Sequence, residues 1–309
     1  MTPADRLEAV RTIRVFAPDA SRYLTRLNAR VRGNGPAASG NAGILLTGPA
    51  HIGKHSFIEH LAQENPPVPT DTIARRSIVV VPPIARPDPS GLTEAIELAT
   101  SWRYRGERLL PGAGPAFQVN RICEANGIRV LAFDRAMYFC GKFAVAADAV
   151  PFLTGIMDKG EVLVVLIGPK TLEDRIKRTT DLSERFFFWR LAPFAYGPEW
   201  IQALHDFEAK MPFNAGSLTA STMPARLYLA CWGKLPRFGK LTIEAARNRL
   251  RNRNANDMIR LEDFHHAYSE LAPDERNNPF DKGHEAAVLE DDIARGPQID
   301  ASTITEIGR

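Results

Sequence analysis

The feature that most constrains the fold is the segment Gly48-Pro-Ala-His-Ile-Gly-Lys54, which lies between an apolar stretch and a helical one. Residues 43–47 predict a short buried strand, and the apolar spacing after the segment predicts a helix over 55–64. In this context the GxxxxGK spacing is typical of a phosphate-binding loop, because its glycines permit a tight turn and its backbone N–H groups face phosphate oxygens. A glycine-rich turn with an exposed lysine is the alternative. The predicted nucleotide-binding residues are Gly48, Pro49, Ala50, His51, Ile52, Gly53, Lys54, His55 and Ser56.

One position in this loop departs from the usual pattern. Lys54 is expected to reach the β- and γ-phosphates, but the next residue is His55, where such loops carry a Ser or Thr that binds Mg²⁺. A neutral imidazole is a poor ligand for this hard, oxygen-seeking ion. Ser56 follows, but it points about 100° further round the helix and cannot simply substitute. His55 therefore argues against Mg²⁺ binding and against hydrolysis.

A second metal position follows the apolar residues 130–133, where the strand pattern ends in Asp134. An acid there matches the strand whose Asp helps to hold Mg²⁺ in nucleotide hydrolases, so Asp134 is the predicted catalytic and metal residue. The next residue in active enzymes is a Glu that activates water, whereas this chain has Arg135, which cannot accept a proton at neutral pH. A buried strand that ends in an acid by chance is the alternative. Together, His55 and Arg135 predict a nucleotide binder with weak or absent hydrolysis.

The remaining strand candidates indicate an α/β fold. Residues 77–82, 128–134 and 161–168 are nearly continuous apolar runs, as expected of parallel strands that helices cover on both faces. An aromatic strand follows at 187–191, and after Pro193 only helical spacing remains, over 198–211, 222–232, 238–252 and 261–271. The predicted organisation is an N-terminal helical segment and loop over 1–40, a nucleotide-binding core with a parallel sheet over 41–196, a small all-helical lid over 197–271 and an acidic flexible tail over 272–309.

Charge is distributed unevenly along the chain. From Leu271 onward nine acidic residues oppose four basic ones, whereas the preceding part has 35 bases and 27 acids, a net charge of +8. A body of this charge is able to bind a polyanion such as DNA. The densest basic region comprises Arg237, Lys240, Arg247, Arg249, Arg251, Arg253 and Arg260. The alternatives for this region are a solvated surface or an anchor for the acidic tail.

Two further arginines lie at positions with a possible role at a nucleotide. Arg185 precedes the aromatic strand, where an arginine commonly reaches the phosphate site of a neighbouring subunit. Arg237 opens a helix in the second unit within Gly233-Lys-Leu-Pro-Arg, which resembles a sensor that contacts the γ-phosphate from the lid. Each has the alternative of an ordinary residue at a helix end. The usual polar sensor after strand 161–168 is replaced by Pro169 or supplied by Thr171.

The sequence gives no sign of a membrane or of export. No apolar run approaches the roughly 20 residues that a membrane-spanning helix needs. The first residues, MTPADRLEAVR, lack the apolar core of a signal peptide. We therefore expect a cytoplasmic chain without a membrane partner.

The motifs taken in order resemble those of the TniB/TnsC family of AAA+ ATPases, which regulate transposition. The resemblance covers about residues 5–270. The matching segments are Gly43 to Lys54, Val79 to Pro83, Val130 to Asp134, Val164 to Gly168, Glu184 to Phe186 and Gly239 to Ala246. It departs from the family at His55, at Arg135 with Ala136, and at Pro169.

This resemblance implies an AAA+ P-loop ATPase fold and ATP, with Mg²⁺ where the site allows it, as cofactors. It also implies assembly into homo-oligomeric rings or filaments on double-stranded DNA, which bridge a target selector and the transposase. Gly53 and Lys54 then bind phosphate, Asp134 holds Mg²⁺, Arg185 acts across a subunit interface and Arg237 senses nucleotide. Two alternatives remain open at this stage: a pseudo-ATPase adaptor that works only through protein–protein contacts, and an active DNA-dependent ATPase.

Overall fold

The chain folds into two compact units, one of residues 18–192 and the other of residues 1–17 with 193–309. The first of these, the sheet unit, contains the predicted phosphate-binding loop, and the second is the helical unit. The computed structural model describes residues 1–33, 43–69, 74–82, 88–102, 114–137, 145–159, 161–214, 218–251, 258–272 and 277–296.

The sheet unit is built on five strands in the order β2-β3-β4-β1-β5. Every pair of neighbouring strands is parallel, which confirms the predicted parallel sheet. All residues of β1, β3 and β4 are buried, because these three strands are flanked on both sides and covered on both faces. The strands are β1 (Gly43–Thr47), β2 (Ile78–Val81), β3 (Val130–Phe133), β4 (Leu163–Gly168) and β5 (Phe186–Arg190).

Helices cover the sheet and form one apolar cluster with one of its faces. That cluster joins Leu45, Leu131 and Val164 to side chains of helices α4 to α7. The helices of this unit are α2 (Pro18–Val31), α3 (Lys54–Glu64), α4 (Pro89–Thr100), α5 (Pro115–Asn126), α6 (Val145–Met157), α7 (Lys170–Lys177) and α8 (Thr180–Ser183). Residues 103–113, which precede α5, lie outside the described residues.

The second unit is helical, as the sequence predicts, but it includes α1 (Pro3–Thr12). Val10 of α1 is buried in the same apolar cluster as Trp200, Phe207 and Phe238. The other helices are α9 (Pro198–Glu208), α10 (Met223–Cys231), α11 (Leu235–Arg251), α12 (Leu261–Leu271) and α13 (Ala286–Arg295). None of the helices in the described ranges combines the length and apolarity needed to cross a membrane.

The predicted N-terminal segment over 1–40 is therefore divided between the two units. Pro18 begins α2, and α2 belongs to the sheet unit. There the Tyr23 ring stacks on Trp189 of β5, with centroids 4.4 Å apart. The prediction of a helical segment carries no information on which partner each of its helices packs against.

The predicted flexible tail over 272–309 is wrong for residues 277–296, which fold onto the helical unit. Leu289 of α13 is completely buried against Ala225 and Leu229 of α10. The buried Arg226 donates from its guanidinium to the carbonyl oxygens of Pro279, Asp281 and His284, at 2.6, 2.8 and 2.8 Å. The acidic composition of the segment concealed the apolar pair Leu289 and Ile293, which is spaced for one face of a helix. Residues 273–276 and 297–309 lie outside the described ranges.

Candidate nucleotide site

The predicted phosphate-binding loop connects the end of β1 at Thr47 to the start of α3 at Lys54. Gly53 has φ +96° at the N-cap of α3, a conformation in which any side chain is strained. Gly48 is required for a different reason: a Cβ there would lie 2.5 Å from the carbonyl oxygen of Leu191. The two glycines therefore allow the tight turn that brings the loop over the end of the sheet.

The amino end of α3 offers the donors that a phosphate group needs. The helix begins with the bond from the Phe57 N–H to the Gly53 carbonyl, at 2.8 Å. The N–H groups of Lys54, His55 and Ser56 precede that bond, so they have no acceptor within the helix. Together with the positive end of the helix dipole, such N–H groups favour an anion.

Lys54 folds over the loop to which it belongs. Its Nζ donates to the carbonyl oxygens of Gly48, at 2.8 Å, and Pro49, at 2.6 Å. Burial lowers the pKa of the Lys54 ammonium, and the nearby Asp134 carboxylate acts in the opposite direction. Lys54 and Asp134, which lie 80 positions apart in the sequence, therefore share one end of the sheet.

Asp134 follows the last residue of β3 and is buried. Its Oδ1 accepts the Arg135 N–H at 2.8 Å, and its Oδ2 lies 2.9 Å from Nδ1 of His55. The other ring nitrogen of His55, Nε2, lies 2.9 Å from Oε1 of Glu59, one turn further along α3. The structure thus brings His55, Asp134 and Glu59 together through two contacts that the sequence did not predict.

These residues do not fit a magnesium ion. Mg²⁺ requires a nearly ideal octahedron of oxygen ligands, and the position that normally supplies a hydroxyl carries the His55 ring. Both carboxylate oxygens of Asp134 already accept hydrogen bonds. Throughout the described part of the chain, no group of three or more His, Cys, Asp or Glu is arranged to hold a metal ion. Chemistry at this site is therefore not assigned to magnesium.

The position expected to activate water offers no base. Arg135 has φ +50° and an exposed side chain, and its contribution to the site is the N–H that it donates to Asp134. Of the two sensor candidates, Pro169 forms the N-cap of α7, and Thr171 contacts Sδ of Met137 through its hydroxyl at 3.7 Å. At position 135 the chain therefore presents a guanidinium where the sequence pattern expects a water-activating carboxylate.

Beneath the loop, a buried carboxylate that was not predicted from the sequence links the ends of β1 and β5 by hydrogen bonds. Glu173 of α7 is 1% exposed and accepts from Arg190 through both oxygens, from Lys177, and from the Thr47 hydroxyl at 3.2 Å. Thr47 and Arg190 are register partners at the ends of β1 and β5, and Thr47 directly precedes Gly48. The signal that could have found Glu173 is its place on the buried side of α7, beside Leu172 and Ile176.

Replacing Glu173 with Gln should make stability less sensitive to acid. The Arg190 guanidinium holds the pKa of Glu173 at about 2, below its ordinary 4.5. A lowered acid pKa stabilises the fold above pH 4.5, and that stabilisation is lost as pH falls from 4.5 towards 2. This lowering of the pKa contributes about 2 kcal/mol to the free energy of unfolding. The value is reduced because Arg190 and Lys177 are half exposed and solvent screens their charges.

The measurement is urea unfolding of the wild type and the Glu173→Gln variant at pH 7 and at pH 3.5. The stability gap between the two proteins should narrow by about 1 kcal/mol at the lower pH. Asp174→Asn, which removes the exposed neighbouring carboxylate, is the matched control. A gap of equal size at both pH values would contradict the assignment.

Arg185 lies at the amino ends of the parallel strands, whereas the phosphate loop lies at their carboxyl ends. It immediately precedes β5, and its Nη1 is bonded to Oδ1 of Asp158 at 2.7 Å. Strand β5 has five residues, which corresponds to about 16 Å between this end and the end that carries the phosphate loop. Arg185 is therefore too far away to serve the nucleotide site of its own chain.

Arg237 is the third residue of α11 in the helical unit, and its action as a sensor stays a prediction.

The basic region over 237–260 is only partly available to a ligand. Arg249 is buried, and its Nε and Nη2 donate to Oδ2 of Asp263 at 2.8 and 2.6 Å. Arg247 is paired with Glu244 on the same helix. The exposed bases of this region are Lys240, Arg251 and Arg260, and Arg253 lies outside the described residues. The structure thus assigns Arg249 to the packing of α11 on α12.

Comparison with known proteins identifies a family and a fold. Residues 6–196 match the model of the family described as bacterial TniB protein. No curated protein matches. Among solved structures, the ORC1 protein of Aeropyrum pernix in complex with DNA aligns with a TM-score of 0.55 and 18% identity, over 84% of this chain and 67% of that chain.

Two further structures have the same fold. The CDC6P protein of Pyrobaculum aerophilum aligns with a TM-score of 0.53 and 14% identity, over 85% of this chain and 71% of that chain. The Walker-type ATPase of Pyrococcus abyssi aligns with a TM-score of 0.51 and 15% identity, over 96% of this chain and 91% of that chain. At such identities the likeness concerns the fold alone, which is that of AAA+ P-loop ATPases with a helical C-terminal part.

Proposed function

The chain belongs to the TniB family, and from that premise we propose that it is a nucleotide-dependent, DNA-binding AAA+ assembly factor that regulates transposition. In this role it bridges the target DNA, or a protein that selects the target, and the transposase. The observation that carries the proposal is the phosphate loop of Gly48 to Lys54, whose lysine and helix end share one edge of the sheet with Asp134. ATP is the nucleotide, bound with weak or absent hydrolysis.

Two residues that ATP hydrolysis normally uses are replaced in this chain, which supports ATP binding without rapid hydrolysis. His55 replaces the hydroxyl that ligates metal, and it is bonded to Asp134. Arg135 replaces the acid that would activate water. In this proposal ATP acts as a ligand that stabilises one assembled state, and its hydrolysis is not the timing step.

The position of Arg185 supports assembly of several copies. Arg185 lies at the end of the strands away from the phosphate loop of its own chain. A nucleotide that it contacts therefore belongs to another copy. Its ion pair with Asp158, which is 53% exposed, lies at the surface, where a neighbouring phosphate can compete for the guanidinium. We therefore include a homo-oligomer, as a ring or filament, in the proposed function.

Charge supports binding of duplex DNA. The residues before Leu271 carry +8 and the folded segment 277–296 carries −3, which leaves +5 for an attraction that does not depend on base sequence. Among the bases of the 237–260 region, Lys240, Arg251 and Arg260 have the exposure that phosphate contacts need. The ORC1 neighbour, whose structure contains DNA, supports the choice of ligand only by fold.

Duplex DNA of random sequence should therefore bind with an affinity that falls linearly, on logarithmic scales, as salt rises. The slope should be about −0.9 for each phosphate neutralised, because bound counterions are released. Reversing charge in the double variant Arg251→Glu and Arg260→Glu should weaken binding and make the slope shallower by about 0.9 for each phosphate that is no longer neutralised. Fluorescence anisotropy across a salt series, with ATP present, measures both quantities.

A matched control separates a local site from the overall charge. Arg26→Glu makes the same kind of charge change on an exposed position of α2, in the sheet unit. If this variant loses as much affinity per charge as the double variant, the DNA contact is not centred on the α11 region. If the wild type fails to bind duplex DNA at low salt with ATP, the adaptor function replaces the DNA-binding one.

A further inference from the structure

The buried carboxylate of Asp134 has both oxygens engaged by groups of this chain. One oxygen accepts the neighbouring Arg135 N–H, and the other faces the His55 ring. Asp134 is 6% exposed, so water does not satisfy it in place of these partners. Each oxygen keeps a second lone pair, but a metal ion bound to Oδ2 would have to fit beside the His55 ring, whose Nδ1 lies 2.9 Å away.

The His55 ring, which is 59% exposed, contacts a carboxylate through each of its two nitrogens. Nδ1 faces Asp134, and Nε2 faces Glu59, which lies one turn along the same helix and therefore on the same side of it. Turning the ring away to admit an ion would break both contacts. The imidazole also stands directly after Lys54, at the helix position from which a hydroxyl would reach a metal bound to the phosphates.

From this geometry we propose that the chain binds ATP without magnesium, with His55 closing the metal position by its bond to Asp134. The inference rests on the proposed nucleotide binding and deepens it. Charge compensation for the phosphates then comes from Lys54 and from the N–H groups at the start of α3. ATP should be held equally well whether or not a divalent cation is present.

The test compares ATP binding by the full-length protein in excess MgCl₂ and in EDTA, by isothermal titration calorimetry. The two dissociation constants should agree within about twofold, which is within ordinary error for this quantity. A tightening of tenfold or more by Mg²⁺ in the wild type overturns the inference and leaves the proposed nucleotide binding standing. Absence of binding in both buffers removes the proposed function, and this inference with it.

A variant provides the converse experiment. His55→Thr supplies the missing hydroxyl and frees one oxygen of Asp134, so Mg²⁺ should tighten its ATP binding by about tenfold relative to EDTA. His60→Thr makes the same substitution five residues further along α3 and should retain the magnesium-independent binding of the wild type. Equal binding of His55→Thr in the two buffers would show that His55 does not close the site. Because the wild-type comparison decides the question alone, the proposal remains testable if His55→Thr folds poorly.

Discussion

Replacing Lys54 with alanine should lower the affinity for ATP by about tenfold to a hundredfold. The ammonium provides a charge-assisted contact to phosphate oxygens, and contacts of this kind contribute about 1.5–3 kcal/mol. Titration of a fluorescent ATP analogue into wild type and variant gives the ratio directly. Lys54 also donates to the carbonyl oxygens of Gly48 and Pro49, so thermal unfolding of the variant must accompany the titration.

The matched control for this experiment is Lys170→Ala. Lys170 is likewise the first residue of a helix that follows a strand of the same sheet, and its side chain is exposed. Its loss should leave ATP affinity within about twofold of the wild type. If Lys54→Ala binds ATP as tightly as the wild type, the phosphate loop is not the nucleotide site of this protein.

Restoring both missing groups at once, as His55→Thr with Arg135→Glu, should raise ATP turnover by at least about a hundredfold. General bases each contribute about 10²–10⁴-fold, and a metal-bound phosphate adds to this. The single variants should gain little, because the hydroxyl frees Asp134 for a metal but supplies no base, and the glutamate supplies a base but no metal. Turnover is measured as phosphate release with Mg²⁺ present.

The same assay tests the wild type directly. Its kcat should lie far below the ~10 s⁻¹ that is typical of enzymes. A wild-type kcat near that value, with or without DNA, would refute the interpretation of His55 and Arg135 and would favour the active DNA-dependent ATPase. A double variant that binds ATP but turns over no faster would show that the exposed Arg135 position does not face the phosphates.

The strands and the loop were predictable because local sequence determines them. Continuous apolar runs such as 163–168 occur in strands that are covered on both faces, and the loop is recognised from the spacing of Gly48, Gly53 and Lys54. Asp134 was found by the same logic, as an acid at the end of an apolar run. Each of these signals lies within about ten consecutive residues.

The contacts between distant residues were not predictable in this way. His55 and Asp134 are separated by 79 positions, and their bond depends on strand order, since β1 and β3 both flank β4. Glu173 lies between Leu172 and Asp174 in a helix that was not predicted. Helix α13 was missed because net charge describes a whole segment, whereas the burial of Leu289 depends on a single face.

Arg226 holds the C-terminal segment through contacts that leave the amino-acid sequence of the segment largely free to change. The three acceptors from residues 279, 281 and 284 are main-chain carbonyls, which every amino acid possesses. The guanidinium therefore imposes a path on the backbone and places no demand on the side chains along it. Homologues that keep the arginine, the buried Phe280 and the buried leucine of α13 should be able to diverge at the outward-facing positions of 277–296 without detaching the segment. Such a surface is able to acquire new recognition partners while the helical unit beneath it remains unchanged.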